Sequence, residues 1–314
     1  MGGNQALSTN ADVSQHANLE ITTHGSNWLF AVCAVMGTAT LVFLGLAFTR
    51  PSSHRHFHYI TAGITFVACI AYFAMGSNLG QTPIAVEFVR PFSSHVGAAG
   101  TREIFYVRYI DWFITTPLLL LDLLLTAGLP RSTILCTIFA DLIMVVCGLV
   151  GALVRTRYKW GFWTFGTASF LFVVWQLLWD GRRHAAAHGG AIQKTYLSAG
   201  VLLIFVWFLY PVAWGLCEGG NVLHPDSEAI FYGVLDIVSK VGFGAVLLWG
   251  HRGIDPADLG LHVREPGGFK GKGVMTEQHQ HGDHHGMMED NNGYDPNLSS
   301  GSTAAPMGGV NAGA

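Results

Sequence analysis

The chain has 314 residues, of which 50% are hydrophobic and only 12% charged, with a formal net charge of −3. Soluble domains carry roughly 25% charged residues, so the composition excludes an ordinary soluble domain and points to a polytopic membrane protein. The near-neutral balance offers no basic surface to a nucleic acid.

The first 26 residues are polar and contain no Lys or Arg. They lack the basic start and apolar core of a cleavable signal peptide. Residues 1–26 therefore read as an extracellular arm before a first membrane helix that serves as an uncleaved anchor. Seven apolar stretches follow, at about 27–49, 57–79, 104–127, 132–154, 160–180, 195–217 and 228–250. Each is close to the roughly 20 residues that cross a bilayer. Their connections are short, except for 80–103, which holds Gly80, Pro83, Pro91 and Gly97. Beyond 250 the apolar runs stop. The segment 251–314 is rich in Gly, His and Asn and is predicted to be a disordered cytoplasmic tail. His279, His281, His284 and His285 are assigned to that solvated tail and not to a metal site. Cys33, Cys69, Cys136, Cys147 and Cys217 all fall inside apolar runs. There they act as small hydrophobes, with neither a disulfide framework nor a zinc site. The predicted fold is an all-α membrane protein, a seven-helix transmembrane bundle over 27–250.

Basic residues in the loops orient the bundle. With the N-terminus outside, the cytoplasmic side collects Arg50, Arg55, Arg131, Arg182, Arg183, Lys194, Arg252, Arg264, Lys270 and Lys272. The outer side collects Arg90, Arg102, Arg155, Arg157 and Lys159. The bias favours the N-terminus outside and the C-terminus in the cytoplasm, in the plasma membrane. Arg108 and Lys240 fall within the membrane.

The third stretch, "VRYIDWFITTPLLLLDLLL", runs from Val107 to Leu125 and carries Arg108, Asp111 and Asp122. An ionisable side chain near the bilayer centre costs about 2.5–3.5 kcal/mol on insertion scales. At about 100° per residue, Asp111, Thr115 and Asp122 share one helix face, with the two carboxylates about 16 Å apart along the axis. Arg108 lies one turn from Asp111, toward the outer end. The seventh stretch holds "LDIVSKVGFG", Leu235 to Gly244, in which Asp236 and Lys240 are spaced to face the same way. Lys240 is too far from either end to snorkel, so it needs a counterion or a covalent partner. A lysine amine condenses with a carbonyl compound to a Schiff base. Its cation could be balanced by Asp111 and Asp236. Three carboxylates, one Arg and one Lys at helical spacing on two helices mark a functional site.

These motifs, with "IFYVRYIDWFITTPLLLLDLLLTAGLP" as a whole, resemble microbial (type 1) rhodopsins, nearest the ascomycete fungal proton pumps. The resemblance covers about 27–250. It implies all-trans retinal bound through Lys240 at the bundle centre. It makes Asp111 the primary counterion and proton acceptor, hydrogen-bonded by Thr115, and Asp236 the second counterion. Asp122 becomes the cytoplasmic proton donor, partnered by Thr61, and burial among leucines should keep it protonated in the dark. Arg108 would move between the counterions and an exit where Glu218 and Glu228 match a proton-release pair. Glu218 aligns only through a one-residue gap. "WFLYPVAW" supplies Trp207, Tyr210, Pro211 and Trp214 to a pocket that suits a flat apolar polyene. The resemblance adds Trp112, Thr116, Leu119, Met144, Gly148, Trp163, Thr167, Phe170 and Ser239 to its walls. Tyr72 and Tyr109 match tyrosines near the counterions. Asp141 matches a protonated carboxyl near the far end of the chromophore. Leu119 matches the leucine of green-tuned members, and Ser239 should shift absorption slightly to the blue.

The implied activity is a light-driven outward proton pump, which is not an enzyme. The alternative is a photosensory rhodopsin, which would not need Asp122. A chloride pump would lack the fixed anion at Asp111, and a G-protein-coupled receptor would not carry this column of charges. The expected partners are the lipid bilayer and protons. The sequence identifies no transducer and leaves a homo-oligomer open.

Overall fold

The computed structural model describes residues 4–91 and 100–259; the His-rich tail lies outside the described residues. Among these, seven helices are long and apolar enough to cross a membrane. They are α1 (Thr23–Phe48), α2 (His56–Gly76), α3 (Tyr106–Thr126), α4 (Arg131–Leu153), α5 (Lys159–Ala187), α6 (Gly190–Gly219) and α7 (Pro225–Gly253). α1 begins inside the segment assigned to the N-terminal arm. There Thr22 caps it by accepting the His24 N–H at 3.2 Å, which satisfies an amide that a helix start leaves unpaired. α7 opens on Pro225, a position where a missing N–H costs nothing, and runs slightly past the predicted end. Gly128 closes α3 at φ +68°, a left-handed conformation that glycine adopts without a Cβ clash.

Leu41, Phe66, Phe139, Phe165, Phe205 and Trp249 are exposed on the outer surface of the bundle. A lipid-facing surface is built this way, with backbone polar groups satisfied inside the helices. α3 is the most enclosed of the seven. Its Arg108, Asp111 and Asp122 are all buried, so the predicted column of charges faces the interior.

Three helices widen locally into π turns, at Leu177–Gly181, Gly215–Gly219 and Ile237–Gly242. Such turns insert a residue into a helix and recur at functional sites. The second carries Glu218 and gives a physical reason for its one-residue gap. The third carries Ser239 and Lys240. Nothing in hydrophobic spacing announces them.

The 80–103 connection contains a hairpin that Pro83 disguises. Strand β1 (Thr82–Ala85) pairs antiparallel with β2 (Thr101–Ile104), with Pro83 opposite Glu103. An edge strand tolerates the donor that proline lacks. The N-terminal arm joins the other edge of β2. Leu19 donates its N–H to the Thr101 carbonyl at 3.0 Å and accepts the Glu103 N–H at 2.9 Å. Two basic residues counted among the outer loop charges are buried instead, Arg102 on β2 and Lys159 at the start of α5.

Glu103 fastens this arm. Its Oε2 accepts the Ile21 N–H at 2.8 Å, and its side chain is sealed from solvent. Burial pushes the carboxyl up to about 8, against the opposing pull of the Ile21 amide. A carboxyl raised on folding stabilises the fold fully below its ordinary range, and that contribution is lost as pH rises through the folded value. Between pH 6 and pH 9 the amides of residues 19–21 should lose protection from hydrogen exchange. In Glu103→Gln the protection should not vary over this range. Equal pH dependence in both proteins would contradict the role of Glu103.

Candidate functional site

The interior of the bundle holds three polar clusters stacked along its axis, with an apolar cavity beside the middle one.

At the centre, α7 brings Lys240 between two carboxylates. Its Nζ lies 2.7 Å from Asp236 Oδ1 and 3.1 Å from Asp111 Oδ2. All three side chains are sealed from solvent. An unpaired buried ion would cost several kcal/mol, and an ion pair recovers this only with good geometry and further hydrogen bonds. The two carboxylates are supported very differently. Asp236 also accepts from Tyr72 Oη at 2.6 Å, Tyr210 Oη at 2.6 Å and Trp112 Nε1 at 3.3 Å. Among the described residues the Asp111 carboxylate has fewer donors, the ammonium and the Thr115 hydroxyl. The Thr115 hydroxyl is shared between that carboxylate and the Asp111 main-chain carbonyl, 2.8 Å away. A helical threonine readily bonds the carbonyl one turn back.

Toward the end bearing the hairpin, Arg108 and Arg102 each place a guanidinium nitrogen 2.5 Å from Glu228, one on each carboxylate oxygen. Arg108 also lies 3.6 Å from Glu218 and stacks over the Tyr232 ring, 4.3 Å from its centroid. Glu218 accepts from Tyr109 at 2.9 Å and Tyr232 at 3.0 Å. Lys159 Nζ donates to the main-chain carbonyl of Glu218 at 2.8 Å. The structure therefore brings together Arg108, Glu218 and Glu228 as predicted. It adds Arg102, Lys159 and Tyr232, which sequence reasoning left out. Arg102 and Lys159 read as loop cations because each borders an apolar run, and the hairpin that buries Arg102 had no clear signal.

At the opposite end, Asp122 is wholly buried among leucines of α3. Thr61 of α2 stands 3.0 Å from Asp122 Oδ2 and 2.8 Å from the Phe57 carbonyl. Gly244 of α7 lets this pair form, because a methyl group there would overlap the Thr61 side chain.

The cavity opens onto Lys240. Trp112, Leu119, Met144, Gly148, Trp163, Thr167, Phe170, Trp207, Pro211 and Trp214 form its walls, with Tyr109, Thr116, Tyr210 and Ser239. Val145, Phe162 and Gly166 join them without having been predicted. A valine, a phenylalanine and a glycine in apolar helices carry no signal of their own. Tyr72 is outside the wall and acts through Asp236. Thr116 stands 2.7 Å from Asp141 Oδ2 and 2.8 Å from the Trp112 carbonyl. The hydroxyl has one proton to give to these two oxygens. Ser239 bonds the Tyr210 hydroxyl at 3.1 Å.

Residues 23–253 match the family described as bacteriorhodopsin-like protein. The chain belongs to this family. It is 57% identical over 264 residues to the opsin-like protein carO of Fusarium fujikuroi, covering 83% of this chain and 85% of that one. The light-driven proton pump LR (Mac) of Leptosphaeria maculans superposes with a TM-score of 0.69 at 37% identity, over 74% of this chain and 97% of its own. The light-driven proton pump rhodopsin CsR of Coccomyxa subellipsoidea gives 0.70 at 36% identity, over 74% and 99%. Halorhodopsin, a light-driven chloride pump, gives 0.67 at 27% identity, over 76% and 98%. This rhodopsin is thus an integral membrane protein near the fungal members, on a fold that proton and chloride pumps share.

Membership of the rhodopsins implies a retinal chromophore, and the residues fit one. The cavity walls are largely aromatic and aliphatic, and the cavity ends at a buried amine with two carboxylates beside it.

The outer cluster gives a direct test. Removing one partner of a buried ion pair leaves an uncompensated charge and costs about 3–5 kcal/mol. Arg102→Ala should destabilise this rhodopsin to thermal denaturation by that order, whereas Arg90→Ala, on the exposed part of the connection, should have little effect. Equal melting of Arg102→Ala and the parent would contradict the clamp on Glu228.

Proposed function

We propose that this rhodopsin is a light-driven outward proton pump that carries all-trans retinal on Lys240. The observation that carries the reading is the Asp122–Thr61 pair. Thr61 has one hydroxyl proton and two oxygen neighbours. It gives that proton to Asp122 or to the Phe57 carbonyl, and in the second case a protonated Asp122 can donate to Thr61 in turn, so the pair accommodates both states of the carboxyl. A buried, protonated carboxyl on the face of α3 that also carries Asp111 is a proton donor with no task in a sensor.

Retinal, when bound, supplies light absorption and a change of shape beside a cationic nitrogen. The chain's residues then divide the proton work. Asp111 accepts the proton from the Lys240 nitrogen, because its oxygens meet fewer donors than those of Asp236. Asp236, held by two tyrosines and Trp112, keeps its charge and anchors the site. Glu228, held between two guanidinium groups, likewise stays an anion. Glu218, held by tyrosines, is the member of the outer pair able to carry a proton to the exit. Asp122 returns a proton to the Lys240 nitrogen from the cytoplasmic side. The fixed Asp111 anion beside Lys240 opposes a chloride ion there, which favours proton transport over the chloride activity found on the same fold.

Direction follows from orientation. Of the five basic residues counted on the outer side, Arg102 and Lys159 are buried. The exposed loop cations therefore favour a cytoplasmic C-terminus more strongly than the raw count. The plasma membrane is the proposed location.

Two variants test the reading. Lys240→Ala supplied with all-trans retinal should remain colourless in the visible, and a normal pigment would remove Lys240 as the attachment site. Asp122→Asn should keep the parent's colour, while return of the proton to Lys240 slows by about 10²-fold, the usual order for a lost general acid. The slowed step should become pH-dependent, and azide should accelerate it as a mobile donor. Flash photolysis at two pH values checks this. Equal rates in both proteins would favour the photosensor.

A further inference from the structure

Asp122 is sealed inside the bundle, so something must carry cytoplasmic protons to it. On the assumption that the pump reading holds, we infer that His251 is the proton relay that refills Asp122.

His251 ends the regular helix of α7, lies flat on the Phe57 ring with centroids 4.1 Å apart, and lines a small cleft at this end of the bundle. Its Nδ1 is 2.8 Å from the Leu247 carbonyl, and its Nε2 is 3.1 Å from Thr126 Oγ1. A carbonyl only accepts, so Nδ1 carries a proton. Thr126 has one hydroxyl proton and two neighbours, Nε2 and the Asp122 main-chain carbonyl at 2.7 Å. With His251 neutral, Thr126 donates to Nε2 or to the carbonyl. With His251 protonated, Nε2 donates to Thr126, which then donates to the carbonyl. Both protonation states fit the same heavy-atom positions, as a relay requires. Thr126 is one turn from Asp122 on α3, about 6 Å along the axis.

The groups facing His251 set when it loads. Arg50 and His54 from the α1–α2 connection, His58 of α2 and its own neighbour Arg252 line the same cleft. Burial of the ring and the neighbouring His58 oppose a further cation in the dark. Once Asp122 has given up its proton, its anion attracts one to the imidazole, as does the nearby C-terminus of α7. His251 takes a proton from cytoplasmic water at the cleft and passes it by way of Thr126 and transient water to the Asp122 carboxylate. The imidazole returns to neutral and Asp122 to its acid form, so one proton enters and none is left over.

The test compares the parent, His251→Gln and Asp122→Asn, each as full-length pigment in lipid vesicles. Return of the protonated Asp122 carboxyl is followed by time-resolved infrared absorption, and reprotonation at Lys240 by visible absorption. His251→Gln should keep its colour and the Asp122-to-Lys240 transfer. Refilling of Asp122 should slow by about 10²-fold, become proportional to proton concentration, and recover with free imidazole in the medium. Refilling at the parent's rate would overturn the relay, while a slow Asp122→Asn would leave the pump reading standing. Slow refilling that keeps the parent's pH profile and ignores imidazole would make His251 merely structural and also overturn the relay. Parental rates in both variants would remove the pump reading together with the relay.

Discussion

Everything in this bundle is arranged around one buried cation. Lys240 places its amine between Asp111 and Asp236, away from both water and lipid. Desolvating three charged groups costs several kcal/mol each before their mutual attraction is counted. The surrounding fold offsets that cost through geometry. Tyr72 of α2, Trp112 of α3 and Tyr210 of α6 all aim at Asp236. Four helices are thereby committed to one carboxylate. The π turn at Ile237–Gly242 presents Lys240 to the same point.

The same device recurs at two levels of the column, as pairs of acids with unlike partners, and a single acid stands at the third. Asp236 is crowded with donors and Asp111 is not. Glu228 sits between two arginines at 2.5 Å, whereas Glu218 sits between two tyrosines with Arg108 farther off, at 3.6 Å. Asp122 has a threonine and no cation. The more donors an acid collects, and the closer its cations, the more firmly it is held as an anion. The differences in partner thus separate fixed anions from mobile proton carriers. A path of alternating fixed and mobile sites has a direction once light acts at its centre.

Much of this was legible in the sequence. Arg108, Asp111, Asp122, Asp236 and Lys240 announced themselves because ions in apolar helices are costly and rare. Helical spacing then assigned them to inward faces. The aromatic wall was legible only through its likeness to a family, since aromatic stripes fill ordinary cores as well. What stayed hidden depends on contacts far apart in the chain. Arg102 reads as a loop cation until β2 carries it under α7 to Glu228. Tyr232 reads as one more core aromatic until Arg108 lies over its ring. Glu103 looks like a surface acid until the N-terminal arm covers it. Thr115 has the predicted position, and its hydroxyl also bonds the backbone, a sharing that spacing cannot reveal.

Halorhodopsin shares the backbone plan, so architecture alone does not select the transported ion; the carboxylates do. The most direct measurement is the pH of a weakly buffered suspension of cells that hold the retinal-loaded protein in their plasma membrane, recorded on illumination. The medium should acidify at once, and a protonophore should abolish the signal. Alkalinisation that the protonophore enhances would mean that another ion is moved and protons follow passively. Either that result or an unchanged pH would contradict outward proton transport.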